Sequence, residues 1–196
     1  MKKGKLLWIV AIVVALGLFG WCKNTYNGMV SADEGVQSAW SQVENVYQRR
    51  ADLIPNLVAT VKGYAEHESG TLEAVVAARA KATQTTVDPS QLTAENIAKF
   101  QAAQGELGSA LGRLLVTVER YTDLKANQNF LELQAQLEGT ENRISTERMK
   151  FNETAKSYNT LIRSFPQNIM ASIFSFTPKG YFKAAEGSEN APKIEF

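Results

Sequence analysis

Cysteine and histidine are almost missing from this chain, each occurring once, as Cys22 and His67. A single cysteine excludes a disulfide framework and any cysteine-rich zinc site. A single histidine deprives a bundle-type di-iron centre of its ligands, since that design uses two Glu-x-x-His pairs. A serine nucleophile would have to use the same residue. It lies in Glu66-His67-Glu68, whose side chains point to different helix faces, and it reads as a solvated helix terminus. Strand-like alternation rich in β-branched residues is absent, and with it any strand for a phosphate-binding glycine loop to follow. Charge of one sign is also scarce. Twenty-one Lys and Arg face 20 Asp and Glu, with no clustered basic surplus for nucleic acid. The residues assign no catalytic, cofactor-binding or metal site, and the expectation is a non-enzymatic protein without a cofactor.

What the sequence does have is one long apolar run. Leu6 to Cys22 carry no charge and follow Lys2, Lys3 and Lys5, with Lys23 behind. As a helix the run is about 26 Å long against a hydrocarbon core of about 30 Å, near the lower limit for spanning. Trp8 and Trp21 stand near its ends, where indole rings favour the headgroup region, and Leu6 and Phe19 are among its lipid-facing candidates. The alternative is a cleaved signal peptide, but Leu18-Phe19-Gly20-Trp21 is too bulky for a processing site. Three lysines before the span against one after it predict that residues 1–5 stay cytoplasmic and the body lies outside the cytoplasm. The bias is two lysines, so the opposite orientation stays open. Removing the four lysines of residues 1–23 leaves 17 basic and 20 acidic side chains in the body. Such a body gains nothing from anionic lipid, and membrane contact falls to the tether.

The body, 24–166, reads as all-α. Val36, Trp40, Val43, Tyr47, Arg50, Ile54, Leu57, Val61 and Tyr64 recur in steps of three and four, predicting one helix over 24–66. A shorter helix over 71–85 carries Leu72, Val75, Val76 and Ala80. A third, over 92–122, carries Ile97, Phe100, Gln104, Leu107, Leu111, Leu114, Val118 and Tyr121. The fourth, over 127–165, repeats every seven residues through Phe130, Leu137, Ile144, Phe151, Tyr158 and Phe165, and Pro166 ends it. The expected architecture is an elongated, antiparallel four-helix bundle behind a transmembrane helix, its 3.5-residue period giving left-handed packing. Segment 167–183 is dense in apolar and aromatic residues, among them Phe174, Phe176, Tyr181 and Phe182. It is expected either in the membrane interface or against the bundle base or a neighbouring chain. Residues 184–196 have the composition of a flexible tail.

Several stretches together resemble the LemA family: Tyr47-Gln48-Arg49-Arg50-Ala51-Asp52-Leu53-Ile54-Pro55-Asn56-Leu57-Val58, Val61-Lys62-Gly63-Tyr64, Lys125 to Phe130, Leu137 to Ile144 including Arg143, and Tyr158-Asn159 followed by Phe165-Pro166. The likeness runs from the anchor to Tyr181-Phe182. It implies a bacterial, membrane-anchored helical bundle and brings no enzymatic activity or cofactor.

Individual motif residues have physical readings of their own. Pro55 inside the first helix leaves the Ala51 carbonyl without its helical donor, predicting a kink with Asp52 and Asn56 serving nearby backbone groups. The alternative is a helix boundary before Leu57. Arg50 occupies an apolar stripe position. An antiparallel register with the fourth helix predicts a buried Arg50–Glu141 pair, with Glu138 as the alternate acceptor and a solvent-directed arginine as the competing reading. Gly105, Gly108 and Gly112 suggest either close helix approach or tolerance at exposed positions. The function expected is a self-assembling scaffold at the bacterial inner membrane. Its partners would be the bilayer, further copies and another envelope protein, with a monomeric adaptor as the alternative and no nucleic acid.

Overall fold

A computed structural model describes residues 3–64 and 68–184. The anchor and the first bundle helix are a single element. Helix α1 runs from Lys3 to Lys62 without interruption, about 90 Å at the usual rise. The boundary expected at residue 24 is not a break: no proline removes a helical donor between Cys22 and Val36, and the helix runs on through Asn27-Gly28. Its first stretch is not covered by any other described residues, with Trp8, Leu7 and Phe19 each 70% or more exposed. An unpartnered apolar surface of this length is what a bilayer covers.

Beyond the anchor follow α2 (Ser69–Gln84), a 3₁₀ turn at Pro89–Gln91, α3 (Ala94–Val118), α4 (Thr122–Lys125), α5 (Gln128–Arg163) and α6 (Gln167–Ile173). Strands are absent among the described residues. Local chemistry sets the joints. Asp88 accepts from the Ser90 amide at 2.8 Å and shapes the turn. Thr93 Oγ1 caps α3 through the Asn96 amide, and Asn127 Oδ1 caps α5 through the Phe130 amide. Helix α5 lies antiparallel along α1, with Arg50 beside Glu141 and Tyr64 beside Asn127. Helix α2 packs on α1 and on α3.

The apolar stripes meet in two clusters stacked along the bundle. The cluster nearer the anchor gathers Met29, Val36, Trp40, Val43, Tyr47, Phe100, Ile144, Phe151 and Tyr158. The distal one gathers Ile54, Leu57, Val61, Val75, Leu107, Leu114 and Phe130. Some stripe positions do not reach either cluster. Phe165 is 79% exposed, since α5 stops at Arg163, two residues short of it. Tyr64 lies past the end of α1, and Val76 and Ala80 face outward. Helix α3 closes at Val118, before Tyr121, where a short turn and α4 take over. Gly105 and Gly112 are exposed, and a Cβ on any of the three α3 glycines would meet nothing within 4 Å, so they mark tolerance and not close helix approach. His67 and the tail from residue 185 onward lie outside the described residues.

Pro55 neither ends α1 nor starts a new segment. The orphaned Ala51 carbonyl accepts from Arg79 Nε of α2 at 2.7 Å. That replaces the expected help from Asp52, which accepts from Gln48 instead, and from Asn56, whose carbonyl accepts from Thr60. A donor borrowed from a neighbouring helix offsets the bond that the proline removes, which is how the helix stays continuous at an interior proline.

Candidate interaction site

Between the two apolar clusters lies a polar layer. Arg50 is 4% exposed, and its Nη2 donates to the Gln104 carbonyl at 3.0 Å and to Gln104 Oε1 at 2.8 Å. Nη1 donates to Glu141 Oε2 at 3.1 Å, and the guanidinium lies 5.1 Å from the centre of the Tyr47 ring. The register thus joins Arg50 to Glu141, but the pair is not buried as expected. The Glu141 side chain is 62% exposed, because it sits at the edge of α5 and meets the guanidinium from the solvent side. The buried partner is Gln104, which also donates to the Ala82 carbonyl. Glu138 accepts from Gln134 and takes no part, and Arg143 is exposed. Burial raises the Tyr47 pKa, so its phenol stays neutral next to the arginine.

The second constellation holds the C-terminal segment. Beyond Pro166 and α6 the chain reverses at Ser175, whose φ of 59° is left-handed. It then returns along the bundle without regular structure as far as Ala184. Three carboxamides grip it. Asn159 accepts from the Lys179 amide and donates to the Lys179 carbonyl, both at 2.8 Å, and also donates to the Tyr181 hydroxyl. Asn152 does the same for Phe182 at 2.9 Å each way, and Gln101 for Lys183 at 3.2 and 3.0 Å. A carboxamide carries the donor and acceptor of a peptide group, so each side chain stands in for a neighbouring strand. The Gly180 amide donates to the Leu92 carbonyl, and a Cβ there would lie 2.6 Å from Ala94 Cα, so the position accepts no side chain.

This fit seats the Phe182 ring flat against Trp40, at 5.8 Å and 12°, with Phe151 edge-on. Lys179 is buried against Asp33, Nζ to Oδ1 2.7 Å, and lies over the Tyr158 ring. The Tyr158 hydroxyl donates to the Thr177 carbonyl at 3.1 Å. Burial first, then the nearby Asp33 charge, push the Tyr158 pKa up to about 12. Tyr181 is 42% exposed, while Phe174 and Phe176 meet Tyr26 of α1 at ring distances of 4.8 and 5.9 Å.

Tyr158 and Phe182, singled out from the sequence, come together here. Gln101, Asn152, Asp33 and Lys179 do not stand out in the sequence. The signal available was Asn152 and Asn159 spaced by seven, one residue out of step with Phe151 and Tyr158.

Helices α3 and α5 stand apart, leaving an open groove of about 700 Å³. Ala98, Ala102, Gly105 and Ser109 line one bank, Glu141 and Arg148 the other, and Tyr47 the floor region of α1. Among the described residues no group of three or more His, Cys, Asp or Glu side chains is placed to hold a metal ion. The arrangement leaves a groove of mixed polar and apolar lining, and an extended segment held by amides.

Comparison with known proteins places these features in a family. The family model described as "LemA family" matches residues 39–196, which takes in the polar layer, the amide clamps and the C-terminal segment. Magnetosome protein MamQ 2 of Paramagnetospirillum magneticum is 26% identical over 194 residues, covering 90% of this chain and 71% of the relative. Magnetosome protein MamQ of Magnetospirillum gryphiswaldense is 28% identical over 174 residues, covering 80% and 64%. Protein LemA of Metamycoplasma hominis is 23% identical over 183 residues, covering 93% and 80%. None of these names carries an enzymatic activity. With its N-terminal helix long and apolar enough to cross a bilayer, its all-α body and a family match over most of its length, this chain belongs to the LemA family and is a membrane-associated member of it.

Proposed function

We propose that the protein is a non-enzymatic scaffold of the bacterial envelope that self-associates side by side at the inner membrane, with its N-terminus cytoplasmic and its bundle outside the cytoplasm. The observation that carries this reading is the α3–α5 groove. Its banks run along the bundle, and the bundle shares one unbroken helix with the anchor. When α1 crosses the bilayer, the groove therefore opens sideways, toward neighbours in the same membrane. Confinement to a surface raises the effective concentration of such neighbours, so weak contacts accumulate. That relatives are named as magnetosome proteins supports a role as a component of a larger body.

A monomeric adaptor is the second reading. The groove's mixed lining, in which Gln101, Gln104, Glu141, Arg148 and Lys183 alternate with alanines, favours it, since transient interfaces are no more apolar than ordinary surface. Native mass spectrometry of the full chain in lipid nanodiscs of increasing size separates the two. Self-association gives multimers that Gly105→Trp disperses, because the indole fills the groove while the Cβ meets nothing. Monomers at every disc size would overturn the scaffold and leave the adaptor.

A further inference from the structure

Fifteen consecutive residues, Ser164 to Pro178, carry no charged side chain, although Arg163 and Lys179 flank them. Two residues of this stretch serve the core: Met170 and Ala171 of α6 are buried in the cluster nearer the anchor. Most of the rest is bare. Phe165, Ile169 and Ile173, spaced by four, are 79%, 51% and 65% exposed, and Phe174 is 49% exposed. None of the described residues covers these apolar side chains, and a soluble surface rarely leaves such a group bare.

Its position says what covers it. Phe174 packs on Tyr26, ring to ring at 4.8 Å. Tyr26 lies four residues past Cys22, the end of the apolar run, so about 6 Å farther along the axis of α1. The headgroup region on each side of a bilayer is about 5–7 Å deep. Phe174 therefore falls within the headgroup region, with Lys23 and Arg163, both exposed, placed to reach phosphates. We propose that α6 and its flanks form a second foothold, lying in the interface of the bilayer that α1 crosses, so that lipid covers Phe165, Ile169, Ile173 and Phe174. A body with a formal surplus of acidic groups then contacts the membrane through apolar burial and not through charge. The foothold also fixes the rotation of the bundle about α1, which a single tether leaves free.

The proposal rests on α1 crossing the membrane but not on self-association. It is tested on the full chain reconstituted at high dilution in phosphatidylethanolamine–phosphatidylglycerol vesicles. Single nitroxide labels are placed at Cys22 and, in a Cys22→Ser background, at Ile169, Ile173 and Met149, the last an exposed apolar residue on α5. Collision with oxygen and with a water-soluble nickel chelate reads the depth. Labels at 169 and 173 are expected to prefer oxygen, reversing the order at 149. Preference for the chelate at 169 and 173 while Cys22 reports lipid would overturn the foothold and leave the span standing. Preference for the chelate at Cys22 as well would overturn both. Exclusion of both reagents, with dipolar broadening between labels, would assign the face to a second copy and overturn lipid as its cover.

Discussion

Replacing Arg50 by methionine separates the two halves of the polar layer. Methionine keeps the apolar stem and removes the guanidinium. Gln104 Oε1, now at 2.8 Å from a charged donor in a 6% exposed residue, is left without a partner, at about 1–3 kcal/mol. The lost charge-assisted bond raises the total, while Arg50 Nε, itself buried without a partner, is a penalty that methionine relieves. The net expectation is a loss of about 2–3 kcal/mol. Glu141→Gln behaves differently. That side chain is 62% exposed, and the amide oxygen of the glutamine can still accept from Arg50 Nη1, so the change costs under about 1 kcal/mol. In a chain of this size each kcal/mol moves the melting temperature by about 2–4 °C. Thermal unfolding of the full chain in non-ionic detergent, followed by circular dichroism, should show Arg50→Met melting about 4–12 °C lower and Glu141→Gln less than about 4 °C lower. Adding Gln104→Leu to Arg50→Met should recover part of the loss, since replacing a buried polar network with apolar side chains removes the desolvation problem from both sides. Equal losses for Arg50→Met and Glu141→Gln would place the stabilisation in the exposed ion pair and refute the reasoning.

Two other substitutions follow from the same accounting of polar groups. Arg79→Met strips the Ala51 carbonyl of its donor and should cost about 1–3 kcal/mol, whereas in a Pro55→Ala background the restored helical amide makes the same change nearly neutral; a double-mutant cycle with no coupling would refute the link. For Tyr158, an acid whose folded pKa is raised from about 10 to about 12, the folded state keeps a proton that the unfolded chain has released, so stability falls as pH rises across that window. Melting temperatures from pH 9 to 12 should fall more steeply for the wild type than for Tyr158→Phe, in which Asp33 and Lys179 remain, and parallel slopes would show that the phenol contributes nothing.

The long helices, the apolar anchor and the family resemblance were readable in advance, because these depend on local pattern, whereas the short α4 and α6 were not. An uncharged run needs no partner to be read, and a stripe of period 3.5 states which face of a helix is apolar wherever the helix lies. Even the antiparallel register was legible, since bringing residues 66 and 127 to one end sets Arg50 opposite the region of residue 141. Where each polar group is satisfied became visible only with the helices packed. The donor for Ala51 comes from Arg79, 28 residues away, and the partner of Arg50 is a glutamine 54 residues away. The partners of Lys179, Phe182 and Lys183 lie 20, 30 and 82 residues off in the chain. Apolar burial is non-directional and tolerates any neighbour of suitable shape, so periodicity suffices to foresee it. Hydrogen bonds require one donor at one distance and angle from one acceptor, and that coincidence exists only once distant helices have been packed.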